Sequence, residues 1–154
     1  MHLETQFSIF MVNKPGVLVQ LLNVLADNKI NIVAITMMDS VEHGVMRMVG
    51  VGGDKIREIL KKMNMQFSET QVLCVNLPNH AGAFADVTNK LSKAHINISY
   101  AYCTAGAKGG RTTGILKVAD VKKAIKILEG TSTATHKKKS KTKKAVRRSP
   151  ASRK

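Results

Sequence analysis

One turn, helix and strand start, written twice at a single offset, constrains this chain more than any other feature. Residues 13–37 read NKPGVLVQLLNVLADNKINIVAITM, and residues 79–103 read NHAGAFADVTNKLSKAHINISYAYC. Superposed at an offset of 66 without a gap, the two agree at seven of 25 positions: Asn13/Asn79, Gly16/Gly82, Asn23/Asn89, Leu25/Leu91, Ile30/Ile96, Asn31/Asn97 and Ile32/Ile98. Unrelated segments agree at roughly one or two, and self-similarity at a fixed period marks a duplicated architecture. The matches gather at the turn before a helix and at the entry to a strand, where backbone geometry restricts the choice of residue.

Hydrophobic periodicity supplies the elements of each copy. In the first, TQFSIFMV is rich in β-branched and aromatic residues and predicts a strand. Pro15 suits the first turn of a helix, and Leu18, Leu21, Leu22 and Leu25 give it one apolar stripe. INIVAITM and VMRMVGV predict two more strands. Asp54 is placed to cap a second helix, whose stripe is Ile56, Ile59, Leu60 and Met63, and QFSE predicts a fourth strand. The order β-α-β-β-α-β is a ferredoxin-like unit, one antiparallel sheet with two helices on one face. The second copy repeats the plan. QVLCVNL, INISYAYC and GILKV are strands, Phe84, Val87 and Leu91 line one helix, and Asp120 caps another with stripe Val121, Ala124, Ile125 and Leu128. No linker separates the copies. The predicted division is a first unit over 1–69, a second over 70–130 that reaches 136 if its weak last strand (near 132–136) forms, and a tail over 137–154.

Charge divides the same way. Residues 1–130 hold 15 Lys and Arg against 10 Asp and Glu, whereas residues 131–154 hold 10 Lys and Arg and no acid. The tail KKKSKTKKAVRRSPASRK has too little apolar surface to fold and is expected to be disordered. It suits a solvated extension, weak salt-sensitive nucleic-acid contact, or an acidic protein or anionic membrane surface. It lacks aromatic residues for stacking on bases. Two widely separated cysteines, Cys74 and Cys103, predict neither a disulfide framework nor a zinc site. With no secretion signal at the start and no apolar run near ~18 residues, the expectation is a soluble cytoplasmic protein without membrane insertion.

The segments NKPGVL…LADNKINI and NHAGAF…LSKAHINI, with the junction QFSETQVLCVNLP and the motif SYAYC, resemble the ACT domain family, and in particular its small stand-alone tandem proteins. The resemblance covers residues 1–130. It implies a non-catalytic amino-acid-binding regulator, not an enzyme, that binds without a cofactor or metal, pairs as a homodimer and acts on an amino-acid biosynthetic enzyme. In that family a small amino acid sits where the first loop of one module meets the second strand of its neighbour. The ligand-binding set implied is Asn13, Lys14, Pro15, Gly16, Val17 and Leu18 with Asn31 and Ile32, and Asn79, His80, Ala81, Gly82, Ala83 and Phe84 with Asn97 and Ile98. A helix N-terminus would face the carboxylate, and a strand amide the ammonium group. Ala81 and His80 replace the Pro and the Lys of the first loop, and Phe84 is larger than Leu18, so the two sites are expected to be unequal.

Each of these residues also has a purely structural use. The glycines serve turn geometry, the asparagines satisfy backbone groups at strand ends, and Tyr100 and Tyr102, two apart on one sheet face, suit packing better than ligand stacking. Cys74 reads as a buried small hydrophobe. The alternative function is a nucleic-acid-associated protein that uses residues 137–154 for weak non-specific contact and the paired modules for oligomerisation.

Overall fold

The computed structural model describes residues 1–38, 43–104 and 112–130. The ten elements are β1 (His2–Val12), α1 (Val17–Asp27), β2 (Ile32–Met38), β3 (His43–Gly50), α2 (Gly53–Lys62), β4 (Gln66–Leu77), α3 (Ala83–Lys93), β5 (Ile98–Cys103), β6 (Thr112–Val118) and α4 (Val121–Gly130). The strands form one six-stranded antiparallel sheet in the order β2-β3-β1-β4-β6-β5. This is the expected α+β plan of two tandem ferredoxin-like units. The expected last strand near 132–136 and the basic tail lie outside the described residues.

The sheet differs from the expectation at the junction. QFSE and QVLCVNL are one twelve-residue strand, β4. Residues 66–74 of β4 pair with β1, residues 73–77 pair with β6 on the other side, and Leu73 and Cys74 are bonded on both. The division drawn at 69/70 therefore falls inside a continuous strand.

Helix ends account for several of the repeated residues. Gly16 and Gly82 precede α1 and α3 at φ +91° and +89°, a left-handed geometry that an L side chain resists. At the other end, Ile30 N–H bonds back to Leu25 O (2.9 Å) and Ile96 N–H to Leu91 O (3.0 Å). Between them Lys29 and His95 sit at φ +58° and +55°. A six-to-one bond around a left-handed residue, with an apolar pair flanking it, is a Schellman stop. Leu25, Leu91, Ile30 and Ile96 are thus fixed by how the helix ends. Two expected starts are corrected. Helix α1 starts at Val17 with Gly16 as its cap, so Pro15 precedes it; α2 is capped by Gly52, and Asp54 lies in its first turn. The Asp120 cap is present, its carboxylate accepting from Lys123 N–H at 2.9 Å.

Two apolar clusters lie between sheet and helices. Phe7, Ile9, Met46 and Met48 pack with Leu21, Leu25, Ile56 and Leu60 in the first unit. Leu73, Leu77, Leu116 and Val118 pack with Leu91, Ala124 and Leu128 in the second. A third cluster, Ala34, Val49, Val72, Cys74 and Ile115, occupies the face that carries no helix. Its burial follows from the curl of the sheet. Arg47 of β3 stacks 3.8 Å above the Tyr100 ring of β5, although β1, β4 and β6 separate the two strands. In a flat sheet four steps would hold them about 19 Å apart. The helix-free faces of the two halves therefore press on each other with the helices outside. At the centre of this layer is Gln6, the one fully buried polar residue described. Its Nε2 donates to Tyr100 Oη (2.8 Å) and Ser8 Oγ (3.3 Å), and its Oε1 accepts from Tyr102 Oη (3.1 Å).

Candidate functional site

The loop between β1 and α1 is shaped by three backbone bonds: Lys14 N–H to Val12 O (2.9 Å), Val17 N–H to Lys14 O (3.4 Å) and Gln20 N–H to Gly16 O (2.9 Å). The loop before α3 has the same three at the same offset: His80 to Pro78 (3.0 Å), Ala83 to His80 (3.3 Å) and Asp86 to Gly82 (2.9 Å). Ala81 in place of Pro15 therefore leaves the folded backbone unchanged. Neither helix start has a side chain capping it. A helix start without a side-chain cap leaves first-turn N–H groups and the positive end of the dipole for an anion.

Around the first loop these residues line a groove of about 350 Å³, the lower end of ligand-pocket sizes of roughly 300–1,000 Å³. Met11 and Val12 of β1, Asn13, Lys14, Pro15 and Gly16 of the loop, Val17 and Leu18 of α1 and Met37 of β2 form its walls. Six of the eight first-set residues expected from sequence are thus together. Asn31 and Ile32 are elsewhere. Ile32 pairs with Gly50, whereas Met11 pairs with Gly44, six residues away along β3, so the start of β2 lies about 20 Å from the groove. Asn31 O accepts Val51 N–H (3.0 Å), and Asn97 O accepts Ala119 N–H (3.1 Å), which closes the same strand pair in each unit.

Met11, Val12 and Met37 were not legible as site residues. Met37 is at the far end of β2 from any motif, and only the register brings it beside the loop. A Cβ at Gly16 would meet no atom within 4 Å, so its requirement for glycine is conformational rather than steric.

The second loop differs in its side chains. His80 Nδ1 lies 2.9 Å from Ala81 O, which holds the ring within its own loop. Phe84 lies over Gly114 of β6, where a Cβ would stand 3.3 Å from its ring and 3.1 Å from Leu77 Cδ1. The counterpart of Phe84 is Leu18, and strand pairing makes Met46 the counterpart of Gly114 (Ile9 pairs with Met46 as Val75 does with Gly114), so a large helix residue is matched to a missing strand side chain. Asp86 lies in the first turn of α3, whereas α1 has no acid in its first turn. A resident carboxylate weakens the attraction of that helix end for a second one.

Elsewhere the titratable groups are structural. Burial pushes the Cys74 thiol up to about 11, with Glu4 adding to the effect, so it is protonated at neutral pH. Burial, then Tyr100 and Cys74, raise the Tyr102 hydroxyl above the usual phenol range, and Arg47 opposes them. Both tyrosines make the contact between halves, as their alternation suggested. No group of three or more His, Cys, Asp or Glu among the described residues could hold a metal ion.

No curated protein matches the chain by sequence. Among solved structures, protein BT0572 from Bacteroides thetaiotaomicron is 28% identical with TM-score 0.77, over 84% of this chain and 89% of that one. The ligand-free regulatory subunit of aspartate kinase from Thermus thermophilus shares the fold at 12% identity and TM-score 0.61, over 84% and 97%. Its counterpart from Thermus flavus does so at 13% and 0.56, over 84% and 93%. The family model described as the ACT domain pair matches residues 1–138, and this chain belongs to that family.

Proposed function

We propose that this protein is a non-catalytic regulator that binds a free amino acid in the first groove and passes the signal to an amino-acid biosynthetic enzyme in the cytoplasm. The observation that carries this is the groove itself, where a glycine-led helix start without a side-chain cap opens onto a cavity of ligand size. The ligand carboxylate faces the N-terminus of α1. Its ammonium group is met by Asn31 and Ile32 of a neighbouring module, because Asn31 of the same module is about 20 Å away. Strand β2 is an edge of the sheet. Antiparallel pairing of two β2 edges in a homodimer brings the start of one strand beside Met37 and Met38 of the other. The regulatory subunits of aspartate kinase that share the fold are the kind of role envisaged. The second set (Asn79, His80, Ala81, Gly82, Ala83 and Phe84 with Asn97 and Ile98) is the weaker site, disfavoured by Asp86.

Thermal-shift measurements against the twenty amino acids test this, since a ligand that binds only the folded state raises the melting temperature. For the best ligand, Asn31→Ala removes one hydrogen bond to a charged group, worth about 1.5–3 kcal/mol, or about one to two decades in dissociation constant. Gly16→Ala weakens binding by distorting the turn. Variants that fold normally and bind as tightly as the parent refute the assignment.

A second reading is favoured by the ten Lys and Arg of residues 131–154: non-specific nucleic-acid contact with steep salt dependence. Binding that survives deletion of residues 137–154 rules it out.

A further inference from the structure

We infer that the first groove selects an amino acid with an uncharged aliphatic or thioether side chain, and that Met37 reads that side chain. This rests on the proposal that an amino acid binds there, and it adds the chemical class of the ligand. Apart from the turn, the walls are Met11, Val12, Val17, Leu18 and Met37, and among the described residues that line it Lys14 is the sole ionisable side chain. The position of Met37 is defined: its terminal methyl lies over Gly44 of β3, 3.5 Å from where a Cβ on that glycine would stand. Gly44 pairs with Met11, so the two thioethers flank one end of the cavity from the strands on either side of β3. Thioethers adapt to irregular apolar shapes and offer only a weak acceptor.

This lining discriminates by what it lacks. Among the described residues no lining residue carries a carboxylate, so the ammonium or guanidinium of a basic amino acid has no partner among them and meets Lys14 as a like charge. An acidic side chain has Lys14 alone to share with the ligand's own α-carboxylate, and its second carboxylate is desolvated against methyl groups. An aliphatic chain loses nothing on entry, and each methylene that reaches the wall adds affinity. At the same offset the second unit has Cys103 in place of Met37, an exposed and much shorter side chain, so no thioether stands at the corresponding position of β5.

Calorimetric titration of the full chain with leucine, methionine, alanine, aspartate and lysine tests the inference. Leucine and methionine are expected to bind about tenfold or more tighter than alanine, with aspartate and lysine weaker than alanine. Met37 is 47% exposed, so its variants are expected to fold, which their melting curves check. Met37→Ala then costs about tenfold for leucine and leaves alanine within about twofold, while Met37→Glu turns the preference from leucine to lysine. A charged amino acid as the tightest ligand of the parent overturns the inference. So does leucine affinity that is unchanged in Met37→Ala but lost in Gly16→Ala, a result that leaves the site itself standing. Failure of all five while another of the twenty amino acids raises the melting temperature overturns the selectivity alone, and failure of all twenty removes the amino-acid site with it.

Discussion

Replacing Gln6 with Leu tests whether the two halves are held as one body by a polar contact in an apolar layer. Gln6 is fully buried, and its amide bonds Tyr100, Tyr102 and Ser8. No buried side-chain nitrogen or oxygen among the described residues lacks a partner, so the network is complete. Leu keeps most of the volume and removes three hydrogen bonds, each worth about 0.5–1.5 kcal/mol net. It also strands the Tyr102 hydroxyl, which has lost its acceptor, at about 1–3 kcal/mol for a fully buried group. Both tyrosines are only half-buried, so water recovers part of that, and the better packing of Leu offsets a further part. The net expectation is a loss of about 2–3 kcal/mol. Urea unfolding measures it. With an m-value of about 1–3 kcal/mol/M, the midpoint falls by about 0.7–3 M at unchanged slope. Combining Gln6→Leu with Tyr100→Phe and Tyr102→Phe removes both sides of the network and is expected to recover most of the loss. A single variant with the parent's midpoint, or a triple variant as unstable as the single, refutes the account.

Arg57 of α2 donates to both carboxylate oxygens of Glu69 (2.6 and 2.8 Å) and to Asp54 (2.6 Å), and the hydrogen bond from Arg57 holds the Glu69 pKa below its usual value. A depressed carboxylate stabilises the fold above its unfolded pKa, and that contribution is lost as pH falls through the folded value. Glu69→Gln should therefore lower the melting temperature slightly at pH 7, and the difference should shrink and vanish as pH falls through the lowered pKa of Glu69; a gap that is constant with pH refutes it. Asp86→Asn removes the resident charge from the first turn of α3 and should tighten the weaker of two amino-acid binding steps about two- to fivefold, since such a charge is worth about 0.3–1 kcal/mol. Calorimetric titration decides this, and two unchanged steps count against the dipole argument.

The elements of each unit were legible because their signals are local. A leucine stripe, a glycine before it and an Asn-flanked strand start each act over fewer than ten residues. The curl that brings the helix-free faces together was not legible, since it depends on strands far apart in sequence. One local sign of it existed. Residues 72–75, VLCV, are all buried, and such an unbroken apolar run belongs to a strand covered on both faces, not to the edge of a one-sided sheet. The groove was half legible. Its loop is written in NKPG, but Met37 joins it through pairing register, and Asn31, which shares the repeat with that loop, is held about 20 Å away.

The residues that agree between the copies are mostly those on which the backbone depends. Gly16 and Gly82 supply positive φ, and the Leu–Ile pairs flank the Schellman stops. Ile32 and Ile98 pack onto their own helices just before the bulge that both second strands carry, between 32 and 34 and between 98 and 100. Between these fixed points the side chains have diverged. Ala34 and Thr36 of β2 correspond to Tyr100 and Tyr102 of β5, and Gln6 corresponds to Val72. A symmetric layer with Gln6 matched to another glutamine would bury two amides and leave no phenols to satisfy them. The asymmetric choice gives one amide and two hydroxyls that saturate one another, as a buried polar contact requires. Divergence of the copies is thus a condition for joining them, and the same divergence gives their two loops different helix-end charge and different flanking side chains.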